Sequence, residues 1–253
     1  MSLESIRSTL IRQEETIIFA IIERAQFLTN SKIYNPHTDL TNNDESFLFY
    51  LLKGTENLHA SVRRYTSPEE HAFFPTTSLT TLPPLIYPEL LSGVEEADNV
   101  NCNDILLREY IKRVVGGGIT DQGDDEQYGS SVLADVAILQ ALSRRIHYGK
   151  FVAESKFRSD ENTYRDLVSS NNADGVMELL TNTEVERKVL ERAREKTKTY
   201  GREPGEIDDE NRKIDPEIIV AIYRDLVIPL TKKVEVDYLF LRCGAKPPGE
   251  LFE

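Results

Sequence analysis

Residues 142–157 read LSRRIHYGKFVAESKF and lie in the longest predicted helix, from Ser130 to about Phe157. Positions three or four apart share one face of a helix, and one such line here holds Ile138, Leu142, Arg145, Gly149, Val152 and Lys156. Arg145 and Lys156 are therefore cations on an otherwise apolar line, about 16 Å apart along the axis. Either they pair with neighbouring carboxylates or reach solvent, or they hold an anionic ligand. Gly149 predicts room for something to lie against the backbone.

Helical patterns continue on both sides of this segment. The spacing of apolar residues predicts further helices over 3–28, 46–65, 103–115, 160–169, 173–180, 183–200 and 215–242, the last bent at Pro229. Sustained alternation with period two is missing from the sequence, and no repeat or linker divides it. We therefore predict an all-α fold, with residues 1–253 forming a single domain. This domain is a helical bundle with one long central helix.

Composition excludes several classes of function. The 253-residue chain has a formal net charge of −13, which disfavours nucleic acid and anionic membranes as partners. Cys102 and Cys243 lie far apart without adjacent histidine or cysteine, so a zinc site is not expected. The longest apolar run, 17–22, is too short to span a bilayer. We expect a cytoplasmic protein without metal or cofactor, whose anionic ligands bind a local cationic cluster.

Two polar pairs have the spacing of one helical turn. Asn182 lies four residues before Glu186, and Thr231 lies four residues before Glu235, so each pair shares a helix face. Spacing alone leaves structural roles open. Thr183 and Glu186 also fit a capping box, and Glu235 also fits a solvated charge.

The segment 142–157 closely resembles the matching helix of the fungal and plant chorismate mutases. The resemblance continues in order along the chain, in SIR at 5–7, TIIF at 16–19, VRRY at 62–65, TN at 181–182, VE at 185–186 and IPLTKKVE at 228–235. It implies an all-helical isomerase that rearranges chorismate to prephenate, in phenylalanine and tyrosine biosynthesis, without a cofactor.

The resemblance also implies a set of catalytic residues. Arg7 and Arg145 hold the two carboxylates of chorismate, Lys156 and Glu235 flank the ether oxygen, Glu186 meets the ring hydroxyl, and Asn182 and Thr231 complete the polar lining. Glu235 is expected to act as a neutral acid, because a carboxylate would repel the negative charge that develops on the ether oxygen. Burial would raise its pKa and Lys156 would lower it, and the sequence leaves the balance open.

A regulatory site follows from the same resemblance. Fungal relatives are dimers in which tyrosine inhibits and tryptophan activates at the subunit interface, at positions matching Arg63, Arg64, Gly129 and Ser130 here. We therefore expect a homodimer that responds to tyrosine, tryptophan or phenylalanine. The alternative is that the two arginines complement the dipole at the end of their helix.

Two other classes of all-helical protein compete with the mutase hypothesis. Isoprenoid synthases need aspartate-rich motifs for magnesium, and the acidic segments 124–128 and 208–212 lack the final aspartate of such motifs. A helical interaction protein without catalysis predicts that Arg145 and Lys156 pair with carboxylates of the protein itself.

Overall fold

Every element of secondary structure in the described part of the chain is helical. The computed structural model describes residues 3–42, 44–77, 82–83, 91, 99–202 and 212–249, and it has no strand within these ranges. The acidic residues 208–211 lie outside them. The helices are α1 (Leu3–Arg24), α2 (Phe47–Ser61), α3 (Asn103–Val115), α4 (Tyr128–His147), α5 (Gly149–Ser159), α6 (Glu161–Ser169), α7 (Ala173–Leu180), α8 (Thr183–Tyr200), α9 (Pro216–Ile222) and α10 (Ile228–Arg242). The predicted all-α fold is confirmed.

Polar caps fix the starts of several helices. The Ser46 hydroxyl accepts a hydrogen bond from the backbone N–H three residues later, at 3.2 Å, and so begins α2. Asp215 caps α9 by accepting from the Glu217 N–H at 2.9 Å, with Pro216 at the first helical position. Capping residues of this kind can be recognised in the sequence. The bounds of α3, α7 and α8 are those predicted.

The predicted central helix consists of two consecutive segments, α4 and α5. Only Tyr148 separates them, and its backbone remains right-handed helical, with φ −61° and ψ −15°. Helix α4 packs against α1, α2, α3 and α10, while α5 packs against α10 and α1. The core lies between these helices and includes the fully buried Ile17, Ile21, Leu142 and Val234.

A π turn at Tyr223–Val227 joins α9 to α10, just before Pro229. Proline has no N–H and cannot donate to the carbonyl four residues earlier, which belongs to Asp225. Arg113 of α3 supplies the missing donor, since its Nη2 lies 3.3 Å from that carbonyl oxygen. The helical path from 216 to 242 is thus interrupted where the sequence predicts a bend.

The carboxyl end of α1 is fixed by a buried group of four side chains, Arg24, Tyr34, Tyr110 and Asp135, here called the Arg24 cluster. Arg24 donates to Asp135 at 2.8 Å, to the Tyr34 hydroxyl at 3.1 Å, and to the carbonyls of residues 27–29 at 3.0–3.2 Å. The hydroxyls of Tyr34 and Tyr110 donate to Asp135 at 2.7 and 2.6 Å. Because the chain turns its carbonyls back toward Arg24, α1 ends there rather than at the predicted residue 28.

The helices also bear on the question of a membrane span. None of the helices in the described ranges has both the length and the apolar character needed to cross a bilayer.

Candidate active site

One cavity of about 510 Å³ receives side chains from both ends of the chain. All seven predicted catalytic residues line it: Arg7 from α1, Arg145 from α4, Lys156 from α5, Asn182 and Glu186 from the start of α8, and Thr231 and Glu235 from α10. The fold therefore brings together residues that are distant in sequence.

The two cations of the apolar helix line have no carboxylate partner among the described residues. Arg145 is only 6% exposed, and its Nε and Nη1 atoms find no hydrogen-bond acceptor there. Burial lowers the pKa of Arg145, because desolvation disfavours the charged guanidinium. Lys156 is half-buried and donates to the Leu180 carbonyl at the end of α7. These donors are thus available to an anionic ligand in the cleft.

The room that the sequence predicts against the Gly149 backbone is occupied by helix α10. A Cβ atom at this position would lie 3.0 Å from Thr231 Cγ2, 3.1 Å from the Thr231 carbonyl oxygen and 3.2 Å from Glu235 Cγ. The space above the backbone is filled by α10. The glycine therefore allows α5 and α10 to approach closely, and so brings the Thr231 and Glu235 side chains toward the cations.

Burial determines the protonation of Glu235. The side chain is 6% exposed, and burial raises its pKa to about 7 against the lowering influence of Lys156, Arg145 and Lys232. Glu186 adds a smaller raising effect. Below pH 7 the carboxyl group is therefore mainly neutral and can donate a hydrogen bond into the cleft.

Asn182, not Thr183, caps α8. Its side-chain oxygen accepts from the Val185 N–H at 3.0 Å. A capping box with Glu186 requires Thr183 at the cap position, so that alternative was wrong. Glu186 instead lies in the first turn of α8 and forms an ion pair with Lys232 of α10 at 2.7 Å.

Four charged residues of this cavity were not predicted from the sequence: Glu14, Lys188, Arg192 and Lys232. Glu14 is fully buried, and Arg192 binds it through two nitrogens, with Nε 2.7 Å from Oε2. Glu14 follows Arg7 by two helical turns, a spacing that could have drawn attention to it. Arg192 is 178 residues away from Glu14, and no local pattern connects them.

Comparison with known proteins shows to which family the chain belongs. Residues 129–236 match the family described as chorismate mutase type II. A chorismate mutase from Pichia angusta is 44% identical over 247 residues, which cover 96% of this chain and 88% of that protein. The chain belongs to the chorismate mutase family. It is therefore an isomerase, and the predicted enzyme class is confirmed.

Solved chorismate mutase structures share this fold. The chain is similar to the Candida albicans chorismate mutase in complex with L-tryptophan, with a TM-score of 0.89 and 40% identity over 96% of this chain and 92% of that one. It is also similar to AtCM1 structures with tyrosine or phenylalanine bound in an allosteric site. Their TM-score is 0.85 and their identity 41%, over 95% of this chain and 96% of theirs.

The two predicted effector arginines of this chorismate mutase lie just beyond α2. Arg64 donates to Glu70 at 3.0 Å, to Gln140 of α4 at 2.9 Å and to His59 Nδ1 in the last turn of α2 at 2.9 Å. Arg63 has a positive φ of 65° and donates to the Pro83 carbonyl. Both arginines lie within three residues of the end of α2, so the alternative role at the helix dipole stays a prediction.

The other two predicted effector residues, Gly129 and Ser130, are exposed in the first turn of α4. A first turn has free backbone N–H groups. Ten residues of α4, or about 15 Å, separate Ser130 from Gln140, which Arg64 contacts. Within one chain, the two halves of the predicted site are therefore apart.

Proposed function

We propose that this cleft rearranges chorismate to prephenate, a step toward phenylalanine and tyrosine, without cofactor or metal. In this intramolecular [3,3] rearrangement an ether C–O bond breaks while a C–C bond forms. No external nucleophile or redox group takes part. The observation that carries the proposal is the buried Arg145, whose Nε and Nη1 lack acceptors among the described residues, in one cleft with Glu235.

Arg7 and Arg145 act as a carboxylate clamp. Guanidinium groups bind a carboxylate through two parallel hydrogen bonds, which fix its plane as well as its position. Arg7 is exposed at the cleft and forms no ion pair with a described residue, so its donors are available too. Holding both carboxylates folds the enolpyruvyl arm over the ring and removes rotational freedom before reaction.

Lys156 and Glu235 stabilise the ether oxygen as its bond lengthens. After donating to the Leu180 carbonyl, the Lys156 ammonium keeps two further protons. Neutral Glu235 supplies another donor below its pKa of about 7. An acceleration of about 10⁶ requires roughly 8 kcal/mol, so this electrostatic term must add to the positioning term.

The remaining polar residues each keep one function free for substrate. Asn182 uses its oxygen as the α8 cap, which leaves its amide N–H groups as donors. Thr231 donates its hydroxyl proton to the Val227 carbonyl at 2.6 Å and so meets a ligand as an acceptor. One carboxylate oxygen of Glu186 binds Lys232, which leaves the other to accept a hydrogen bond from the ring hydroxyl.

The direct test is the loss of chorismate absorbance on adding purified protein in the presence of a chelator. We expect saturable turnover to prephenate. A helical interaction protein without catalysis predicts no loss above the uncatalysed rate, and that result would remove the proposal.

Regulation by aromatic amino acids is the second part of the proposal. We propose a homodimer in which Gly129 and Ser130 of one subunit meet Arg63 and Arg64 of the other. Exposed apolar side chains support such an interface: Tyr50, Leu58 and Val62 along α2 and just beyond it, and Leu133 on α4, are 50–67% exposed. The complexes of similar proteins with tyrosine, phenylalanine and tryptophan name the effector class.

The regulatory proposal is tested by initial rates at subsaturating chorismate with each aromatic amino acid. We expect tyrosine to lower the rate at least about fivefold, and Arg64→Ala to lose this response. Arg165→Ala, which removes an exposed ion pair with Glu161, is the matched control and keeps it. No response to any effector would end the claim, and a response that survives in Arg64→Ala would misplace the site.

We also propose that both sites belong to one helical domain over residues 1–253, and that the protein is cytoplasmic. Helix α4 supports the first point, because it carries both Arg145 and the exposed Gly129 and Ser130. Cooperative unfolding in a single transition, together with a solution mass of two chains, is the expected observation. Fractionation of cells tests the location.

A further inference from the structure

Two consecutive lysines on α10 have different partners. Lys232 reaches across to α8 and pairs with Glu186 at 2.7 Å, with side chains 22% and 29% exposed. Lys233 pairs within its own helix, with Asp237 at 2.9 Å. Lys232 lines the catalytic cavity, and Lys233 is not among its lining residues. The neighbouring lysine therefore serves as a natural control for Lys232.

The ion pair engages only half of the Glu186 carboxylate. Lys232 contacts Oε1, and no described residue donates a hydrogen bond to Oε2. A glutamate side chain has several rotamers, and a partly buried ion pair restricts them. With Oε1 held from α10, Oε2 is left as the acceptor for a ligand in the cavity.

We propose that Lys232 is a positioning residue, which fixes the Glu186 carboxylate so that its second oxygen accepts the ring hydroxyl of the substrate. The inference rests on the proposed function, because it assumes the role of Glu186 given above. A hydroxyl on the ring gains little charge as the ether bond breaks. This contact is therefore similar in the ground state and the transition state, and its loss should appear mainly in KM.

The pair also contributes to the electrostatics of Glu235. The titratable and charged groups that face Glu235 are Lys156 of α5, Arg145 of α4, Tyr164 of α6, Glu186 of α8 and Lys232 of its own helix. Burial is the largest influence on the pKa of Glu235 and raises it, whereas Lys232 lowers it and Glu186 raises it. Removing one member of the pair should thus move that pKa in one direction, and removing the other member should move it in the opposite direction.

The first experiment compares steady-state kinetics of three variants with the parent. Lys232→Met should raise KM roughly tenfold with little change in kcat. Without Lys232 the Glu186 carboxylate is no longer held in place, and its hydrogen bond with the ring hydroxyl is weakened. Lys232→Arg keeps the cation and should restore KM to within about threefold. Lys233→Met should resemble the parent. If Lys232→Met matches the parent, or Lys233→Met matches Lys232→Met, the inference is overturned.

The second experiment measures the alkaline limb of the pH–rate profile in two variants. A general loosening of the fold would not shift this limb in opposite directions in the two. Lys232→Met should move this limb to higher pH and Glu186→Gln to lower pH, while the double variant lies near the parent. Shifts of the same sign in both single variants contradict the inference. If the parent consumes chorismate and Lys232→Met behaves identically, only the inference is overturned. If the parent is inactive, both the proposed function and the inference are overturned.

Discussion

Two buried arginines, Arg24 at the end of α1 and Arg145 in α4, have opposite surroundings. Arg24 is fully buried, and its donors reach Asp135, the Tyr34 hydroxyl and three backbone carbonyls. Arg145 is 6% exposed, and two of its nitrogens have no acceptor among the described residues. Burial opposes both charges, but Asp135 and its neighbours outweigh it and raise the pKa of Arg24, whereas the pKa of Arg145 is lowered.

The carboxyl groups in the two regions repeat this contrast. Asp135 accepts hydrogen bonds from Arg24, Tyr34 and Tyr110 at 2.6–2.8 Å. Glu235 accepts none from a described residue, and burial raises its pKa to about 7. The partners of Arg24 and Asp135 join elements of the fold. Arg145 and Glu235 lack such partners among the described residues, so their polar atoms are available to a ligand. The contrast predicts which measurement each substitution will change.

The largest effect is expected in the Arg24 cluster. Arg24→Met should lower the free energy of unfolding by about 3–5 kcal/mol, because Asp135 is left buried without its cation. Urea denaturation measures this change. Arg12→Met is the control, since Arg12 lies exposed on the same helix and should change stability by less than about 0.5 kcal/mol. Equal effects of the two substitutions would break the comparison.

Substitution of a charged residue in the cleft should lower catalysis rather than the free energy of unfolding. Arg145→Lys keeps a cation but loses the two-pronged donor, so kcat/KM should fall by about 10²–10³, while the free energy of unfolding changes by less than about 1 kcal/mol. Arg144→Lys is the adjacent control, since Arg144 lies 3.3 Å from Glu70 outside the cavity. Near-normal turnover in Arg145→Lys would show that the carboxylate clamp is wrong.

The smallest effect concerns Glu235 and depends on pH. Above its pKa of about 7 the group becomes a carboxylate, which repels charge on the ether oxygen, so the rate should decline up to tenfold per pH unit. At pH 8 this corresponds to about 1.4 kcal/mol. Glu235→Gln remains a donor at every pH and should flatten the decline. A glutamine variant with the same alkaline limb as the parent contradicts the neutral-acid role.

Local signals in the sequence explain why much of the fold could be predicted. Asp215 followed by Pro216 marks the start of α9, and the glycines at 116 and 201 follow the last residues of α3 and α8. The seven site positions could be named because they lie in segments that resemble a known family, and the fold brings them to one cavity. Their individual roles stay predictions.

Contacts between distant elements could not be predicted in the same way. Arg24 and Asp135 are 111 residues apart, and nothing near either residue indicates the other. Lys232 and Lys233 are equivalent in sequence until the helix turns one toward α8 and the other along α10. The protonation of Glu235 depends on a balance between burial and nearby cations that only the packed structure supplies.

The close approach at Gly149 has a consequence for how this enzyme can change over evolutionary time. Residue 149 itself contributes no side chain, so the contact of its backbone with Thr231 and Glu235 sets the spacing between the helices that carry Lys156 and Glu235. A side chain at residue 149 would meet Thr231 and Glu235 and force the two helices apart, so descendants that keep this spacing must keep glycine there.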